Sequence, residues 1–167
     1  MLVKIELRNA EAGDEKICAY IQTESWKKAF AAILSEEDLK KYTNIEKAEE
    51  MYAEVFKSNF AKGHILLVEG KPHCIAFWSK SRESGMEDYA ELICIHSMQD
   101  NWGKGYGTVM MRHVLSEVKA AGFEKAMLWV FEKNIRARKF YEKHGFSFNG
   151  KKKEFSNAME VMYCRQL

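Results

Sequence analysis

Two periods of apolar spacing divide the chain. A period of two predicts a first strand at Val3–Leu7, with Val3, Ile5 and Leu7 on one face. Gly13-Asp14 breaks it, and Asp14 can cap a helix. From Glu15 to about Tyr42 the period is helical and divides into two helices, with Ile17, Ile21, Trp26, Phe30 and Leu34 among the apolar positions. Ser35-Glu-Glu-Asp38 resembles a capping box that restarts the second. Asn44 caps a third helix carrying Met51, Val55 and Phe56, with Gly63 as its C-cap.

Period two returns at His64–Glu69 and His73–Trp78, a hairpin joined at Gly70-Lys71-Pro72. Ser81–Asp88 is polar and reads as a loop. Glu91–Ser97 is a strand, then a polar loop, a glycine-rich turn and an amphipathic helix with Met110, Val114 and Val118 on one stripe. That helix ends at Gly122. Ala126–Phe131 is apolar throughout, as a central strand buried on both faces should be. Asn134 caps a helix with Ala137, Phe140, Tyr141 and His144 on one stripe, closed by Gly145. Phe146–Phe148 and Met159–Cys164 are the last strands, with Gly150-Lys-Lys-Lys-Glu154 between them. The order predicts an α/β (α+β) fold in one domain over residues 1–167. Its mixed, mostly antiparallel sheet has about six to seven strands flanked by helices.

Composition narrows the partners. The 26 basic and 24 acidic residues leave a net charge of +2. That balance argues against nucleic acid or an anionic membrane surface as partner. No apolar run approaches a membrane span, and the opening residues alternate apolar with charged side chains, unlike a signal peptide. Cys18, Cys74, Cys94 and Cys164 match no zinc spacing and form no Cys-x-x-Cys pair, so no metal is expected. Cys74 and Cys94 sit in apolar runs and read as buried thiols. A cytoplasmic setting is therefore expected.

The glycine turn carries the chemistry. Gly103, Gly105 and Gly107 alternate with Lys104 and Tyr106 and lead straight into a helix. Unpaired amide N–H groups at a helix start, at the positive end of its dipole, make an anion site suited to phosphate or pyrophosphate. Lys104 adds a charge beside it. The spacing is neither the dinucleotide fingerprint nor the phosphate-loop signature.

Two blocks resemble the GNAT N-acetyltransferase superfamily, in its bacterial small-molecule form. The first runs from Glu91 through Trp-Gly-Lys-Gly-Tyr-Gly107. It is similar to the family's acetyl-coenzyme A loop, except that Trp102 stands where Gln or Arg is usual. The second, Leu128 to Phe146, is similar to the family's Asn-x-x-Ala-x-x-Phe-Tyr-x-x-x-Gly-Phe signature.

The resemblance implies an N-acetyltransferase that uses acetyl-coenzyme A as acyl donor. The amides of Trp102, Gly103, Lys104, Gly105, Tyr106, Gly107 and Thr108 would hold the pyrophosphate. Ser97 and Met98 would pair with the pantetheine arm, and a bulge near them would free an N–H for the thioester carbonyl. Asn134 is either a helix cap or a contact to the coenzyme arm, or both. Tyr141 is either a core tyrosine or the acid that protonates the departing thiolate. Glu91 is either a solvated strand-end carboxylate or the base acting on the amine. His96 is the second candidate for base, and strict alternation places it on the face opposite Glu91. Arg136 or Arg138 could reach the coenzyme's 3′-phosphate. Trp26 and Phe30 are candidates for the acceptor pocket.

A small-molecule amine is the expected acceptor, with direct attack in a ternary complex. A non-catalytic acyl-coenzyme A sensor and a protein N-terminal or lysine acetyltransferase remain open on the same fold. The resemblance also admits a homodimer, although no exposed apolar stripe demands one.

Overall fold

The alternating segments form seven strands: β1 (Ile5–Asn9), β2 (Lys62–Val68), β3 (Lys71–Lys80), β4 (Tyr89–Ser97), β5 (Lys125–Phe131), β6 (Ser147–Phe155) and β7 (Ala158–Gln166). The helical segments are α1 (Glu15–Ala29), α2 (Glu36–Tyr42), α3 (Ile45–Ser58), α4 (Tyr106–Ala120) and α5 (Ile135–Lys143). The computed structural model describes residues 2–167. One sheet takes all seven strands in the order β1-β2-β3-β4-β5-β7-β6. Every neighbouring pair is antiparallel except β4 and β5. This is the mixed α/β sheet expected from the pattern.

Helices cover both faces. On one, Cys18 and Ile21 of α1 and Tyr52 and Val55 of α3 pack on Ile65, Ile75 and Phe77. On the other, Met110, Val114 and Val118 of α4 and Tyr141 of α5 pack on Leu66, Ala76, Leu128 and Tyr163. A fully buried side chain of this size contributes about 1.5–3 kcal/mol. Ser35 and Asn44 act as the sequence predicts: their side chains accept from the amides of Asp38 and Lys47.

Several boundaries differ, each because a partner strand or a local bond decides. β1 begins two residues late, since its ladder with β2 runs from Ile5–Val68 to Asn9–His64. Asp14 stands at the start of α1 without capping it; its carboxylate binds the Arg8 guanidinium and the Glu11 amide instead. Asn59, in the left-handed region at φ 53°, ends α3 in place of Gly63. The β2–β3 turn is Glu69-Gly70, both at positive φ, and Pro72 belongs to β3. Lys151, Lys152 and Lys153 lie in the edge strand β6 rather than in a turn. A row of lysines on a sheet edge opposes pairing with another chain.

Gly63 instead lies in β2, directly opposite Phe77. A Cβ built there would stand 2.3 Å from the Phe77 ring, which is itself packed against Tyr52. Gly63→Ala should therefore destabilise the fold by about 1–3 kcal/mol through overpacking. A lower urea midpoint at constant slope is the expected result; an unchanged midpoint would show that the ring moves aside freely.

Two irregularities in β4 shape the site. Cys94 pairs with Phe77 and Leu92 with Trp78, so Ile93 is an extra residue, a β-bulge. The bulge expected near Ser97–Met98 thus lies four residues earlier. It also reverses the alternation. Leu92 and Ile95 both pack toward α4, which puts Glu91 and His96 on the same face, contrary to strict period two. Second, β4 pairs with β5 only from Tyr89–Lys125 to Glu91–Met127. Beyond that the strands part, and a cleft opens between them.

Candidate active site

The cleft measures about 900 Å³. Trp102, Asn134, Arg136 and Tyr141 line it at the glycine-loop end; His96, Cys94 and Ile93 line its β4 wall. Trp26, Phe30, Phe131 and Phe155 line the far end.

At the glycine loop, Gly103 (φ 78°) and Gly105 (φ 86°) occupy the left-handed region that only glycine enters freely. Gly107 is helical and faces the Phe140 ring of α5, which an added Cβ would meet at 3.4 Å, an ordinary contact. The amides at the two ends of the expected set are taken. Trp102 N–H donates to the Gln99 carbonyl and Thr108 N–H to the Gly105 carbonyl. Those of Gly103, Lys104, Gly105, Tyr106 and Gly107 have no acceptor among the described residues, at the start of a helix of 15 residues. The Thr108 hydroxyl is within 3.3 Å of His144 Nε2, and Tyr106 is buried against His73. Lys104 Nζ donates to Asn101 Oδ1 at 2.8 Å.

Trp102 has a structural explanation that its sequence position did not reveal. Its indole N–H donates to the Ser97 carbonyl at 2.9 Å, tying the loop to the end of β4. The guanidinium of Arg136 lies 3.5 Å above its ring. A positive charge therefore stands beside the loop although it comes from α5. Arg138, by contrast, is held by the Tyr163 hydroxyl and the Glu132 carbonyl. Met98 N–H is taken by the His73 carbonyl of β3, which removes it from the pairing set for a coenzyme arm. Asn134 caps α5 through its side-chain oxygen, which accepts from Ala137 N–H, and it also lines the cleft, so its two readings are compatible.

Tyr141 is buried, lines the cleft, and has its pKa raised by desolvation, so its phenol stays protonated. Cys94 shares that environment: burial pushes its thiol up to about 12, which keeps it from being a thiolate nucleophile. It is partly accessible along the cleft, not sealed in the core.

Glu91 differs from expectation. It is neither solvated nor a cleft-lining group. Its carboxylate accepts from Arg82 three times, from Nη2 at 2.7 Å, Nε at 3.0 Å and the backbone amide at 3.1 Å. Burial favours its neutral form, but these bonds outweigh that and hold it below the ordinary carboxylate value. A carboxylate so bound is a poor proton acceptor; it anchors Arg82, which does reach the cleft.

His96 is held neutral by burial, with its pKa down at about 4. The Trp26 indole donates to its Nε2 at 3.3 Å, which assigns the ring proton to Nδ1. The lone pair that a base would need is already engaged.

Glu160 of β7 is the acid that sequence reasoning missed. It lines the cleft with a mostly buried side chain, opposite Phe131 in the ladder. Burial raises its pKa, although Lys153, at 3.9 Å, acts against this. Its signal was a lone charge inside Ala158-Met-Glu-Val-Met, on the face it shares with Met162 rather than with Val161.

Residues 24–146 match the acetyltransferase (GNAT) family. The chain belongs to that family. It is also similar in structure to three solved proteins, at identities that speak to the fold alone. Against a PaiA N-acetyltransferase from Thermoplasma acidophilum, crystallised with coenzyme A, the TM-score is 0.83 at 18% identity, over 98% of this chain and 99% of that one. Against a GCN5-related N-acetyltransferase from Rhodopseudomonas palustris the values are 0.79 and 17%, over 100% and 99%. Against an N-acetyltransferase from Staphylococcus aureus Mu50 they are 0.76 and 16%, over 98% of each chain. No curated protein matches the chain at a significant level. Among the described residues, no helix is long and apolar enough to cross a membrane, and no group of three or more His, Cys, Asp or Glu side chains could hold a metal ion.

Proposed function

We propose that this GNAT acetyltransferase moves an acetyl group from acetyl-coenzyme A to the primary amine of a small molecule, by direct attack while both are bound. One observation carries the reading: where β4 parts from β5, a single cleft runs from Trp102 and Arg136, beside the glycine loop with its free amides, past the Tyr141 phenol to an apolar chamber. The residues fit a coenzyme A group. The amides of Gly103–Gly107 supply donors for a pyrophosphate, with Arg136 as the nearby cation. The β4 edge beyond Glu91 offers unpaired main chain to an extended amide-bearing arm, as to an added strand. The Ile93 bulge turns that main chain toward the cleft and supports an N–H contact to a thioester carbonyl.

Acetyl-coenzyme A supplies the activated acetyl group. As the amine nitrogen bonds to the acetyl carbon, the carbon–sulfur bond breaks and its electron pair leaves on sulfur. Tyr141 gives its proton to that sulfur and regains one from solvent. The proton lost by the amine passes to Glu160 and on to solvent, the role first expected of Glu91.

The absence of a covalent enzyme intermediate rests on Cys94 being held as a thiol. Cys94→Ala should keep at least about half of wild-type kcat, since no catalytic bond is removed. Initial rates against both substrates should give intersecting lines. Complete loss of activity in a folded variant, with parallel lines in the wild type, would refute direct attack.

A further inference from the structure

The far end of the cleft is a box of rings from four elements. Trp26 of α1 and Phe30, the residue that closes α1, stand 4.9 Å apart, and Phe30 and Phe131 are also 4.9 Å apart. Phe131 and Phe155 are 5.7 Å apart, Phe155 and Tyr42 4.9 Å, and Tyr42 and Trp26 6.3 Å. The pairs meet edge-to-face or tilted, the packing that aromatic rings prefer. All five rings line the cleft, and four of them are only partly buried, so the box presents ring surface to whatever enters.

Its charges are few and unevenly placed. Glu160 sits in the wall beside Phe131, its side chain 16% exposed. The other acidic lining residue, Glu54, is on the exposed surface of α3. The remaining charged lining residues are Lys41, Lys47, Arg82 and Arg136, all positive. Arg82 is engaged by Glu91. A chain of several ammonium groups would find one buried carboxylate and then cations. A molecule with a single amine on an apolar, flat body would place its charge on Glu160 and its body among the rings, where burial of apolar surface contributes most.

We infer that the acceptor is an arylalkylamine, a primary amine on a short chain from an aromatic ring, held by the ring box with its ammonium on Glu160. This rests on the acetyl-transfer reading above and names its substrate class. Glu160 acts here as a specificity residue as well as the proton acceptor named above: it draws in the ammonium and takes its proton, which frees the amine for attack at the donor end of the cleft.

The test compares phenethylamine, spermidine and a lysine-containing peptide by coenzyme A thiol release, with acetyl-coenzyme A binding followed separately by calorimetry. Phenethylamine should exceed the other two in kcat/KM by at least about tenfold, the discrimination that a fitted apolar pocket gives. Glu160→Gln should raise the phenethylamine KM about tenfold or more while acetyl-coenzyme A affinity stays within about twofold, as expected when one ion pair of some 1.4 kcal/mol is lost. Turnover of spermidine or the peptide above phenethylamine overturns the inference and leaves acetyl transfer standing. An equal loss of coenzyme affinity in Glu160→Gln also overturns it, because the residue would then be structural. Coenzyme binding without thiol release from any amine removes the transfer reading itself.

Discussion

Gly105→Val should reduce acetyl-coenzyme A affinity by at least about 100-fold while the protein remains folded. Gly105 holds φ at 86° as the residue before α4. A β-branched residue in that region costs about 1–3 kcal/mol, so the loop will leave the conformation. The position has open space around it, with nothing within 4 Å of an added Cβ, so the effect comes from backbone strain rather than a clash with the core. The amides of Gly103–Gly107 then no longer converge. Each hydrogen bond to a charged group contributes about 1.5–3 kcal/mol, and losing two of them accounts for the predicted factor. Calorimetry with acetyl-coenzyme A, paired with circular dichroism to confirm folding, reads it directly. An undiminished thermal shift in the variant would remove the loop from the binding site.

Tyr141→Phe should lower kcat by about 100-fold or more, within the range for general acid catalysis, and change acetyl-coenzyme A affinity by less than about threefold. The ordinary order of values, phenol near 10 above thiol near 8.5, runs against transfer from tyrosine to thiolate. Burial in the cleft raises both values. Desolvation raises Tyr141, and it raises thiols in the same cleft too, as Cys94 at about 12 shows, so a thiolate formed there is a stronger base than in water. Because the phenol's pKa lies above 10, its ionisation should produce no alkaline fall in wild-type activity below that pH. Equal turnover of wild type and Tyr141→Phe across the pH range would return Tyr141 to the core.

The fold was legible because its local signals agree. The caps at Ser35 and Asn44, the glycine loop before α4 and the apolar run of β5 all act where the residues placed them. What was hidden depended on pairing across the chain. The Ile93 bulge exists only relative to β3, and once present it brings His96 to the face of Glu91. Glu91 looked like a free carboxylate because its partner, Arg82, comes from an unremarkable polar loop. Glu160 looked like a strand charge until β5 placed Phe131 opposite it. Trp102 looked like a loss of polarity, and its compensation by Arg136 spans the gap between the loop and α5.

The central claim is that the cleft transfers acetyl to a small amine. The most direct measurement is release of free coenzyme A thiol from acetyl-coenzyme A by the wild-type protein, with and without amines of several classes, and with the product identified by mass spectrometry. Thiol release that depends on the amine, with stoichiometric N-acetylated product, is the expected result. Tight coenzyme binding with no amine-dependent release from any class would contradict the claim and make the protein an acyl-coenzyme A sensor.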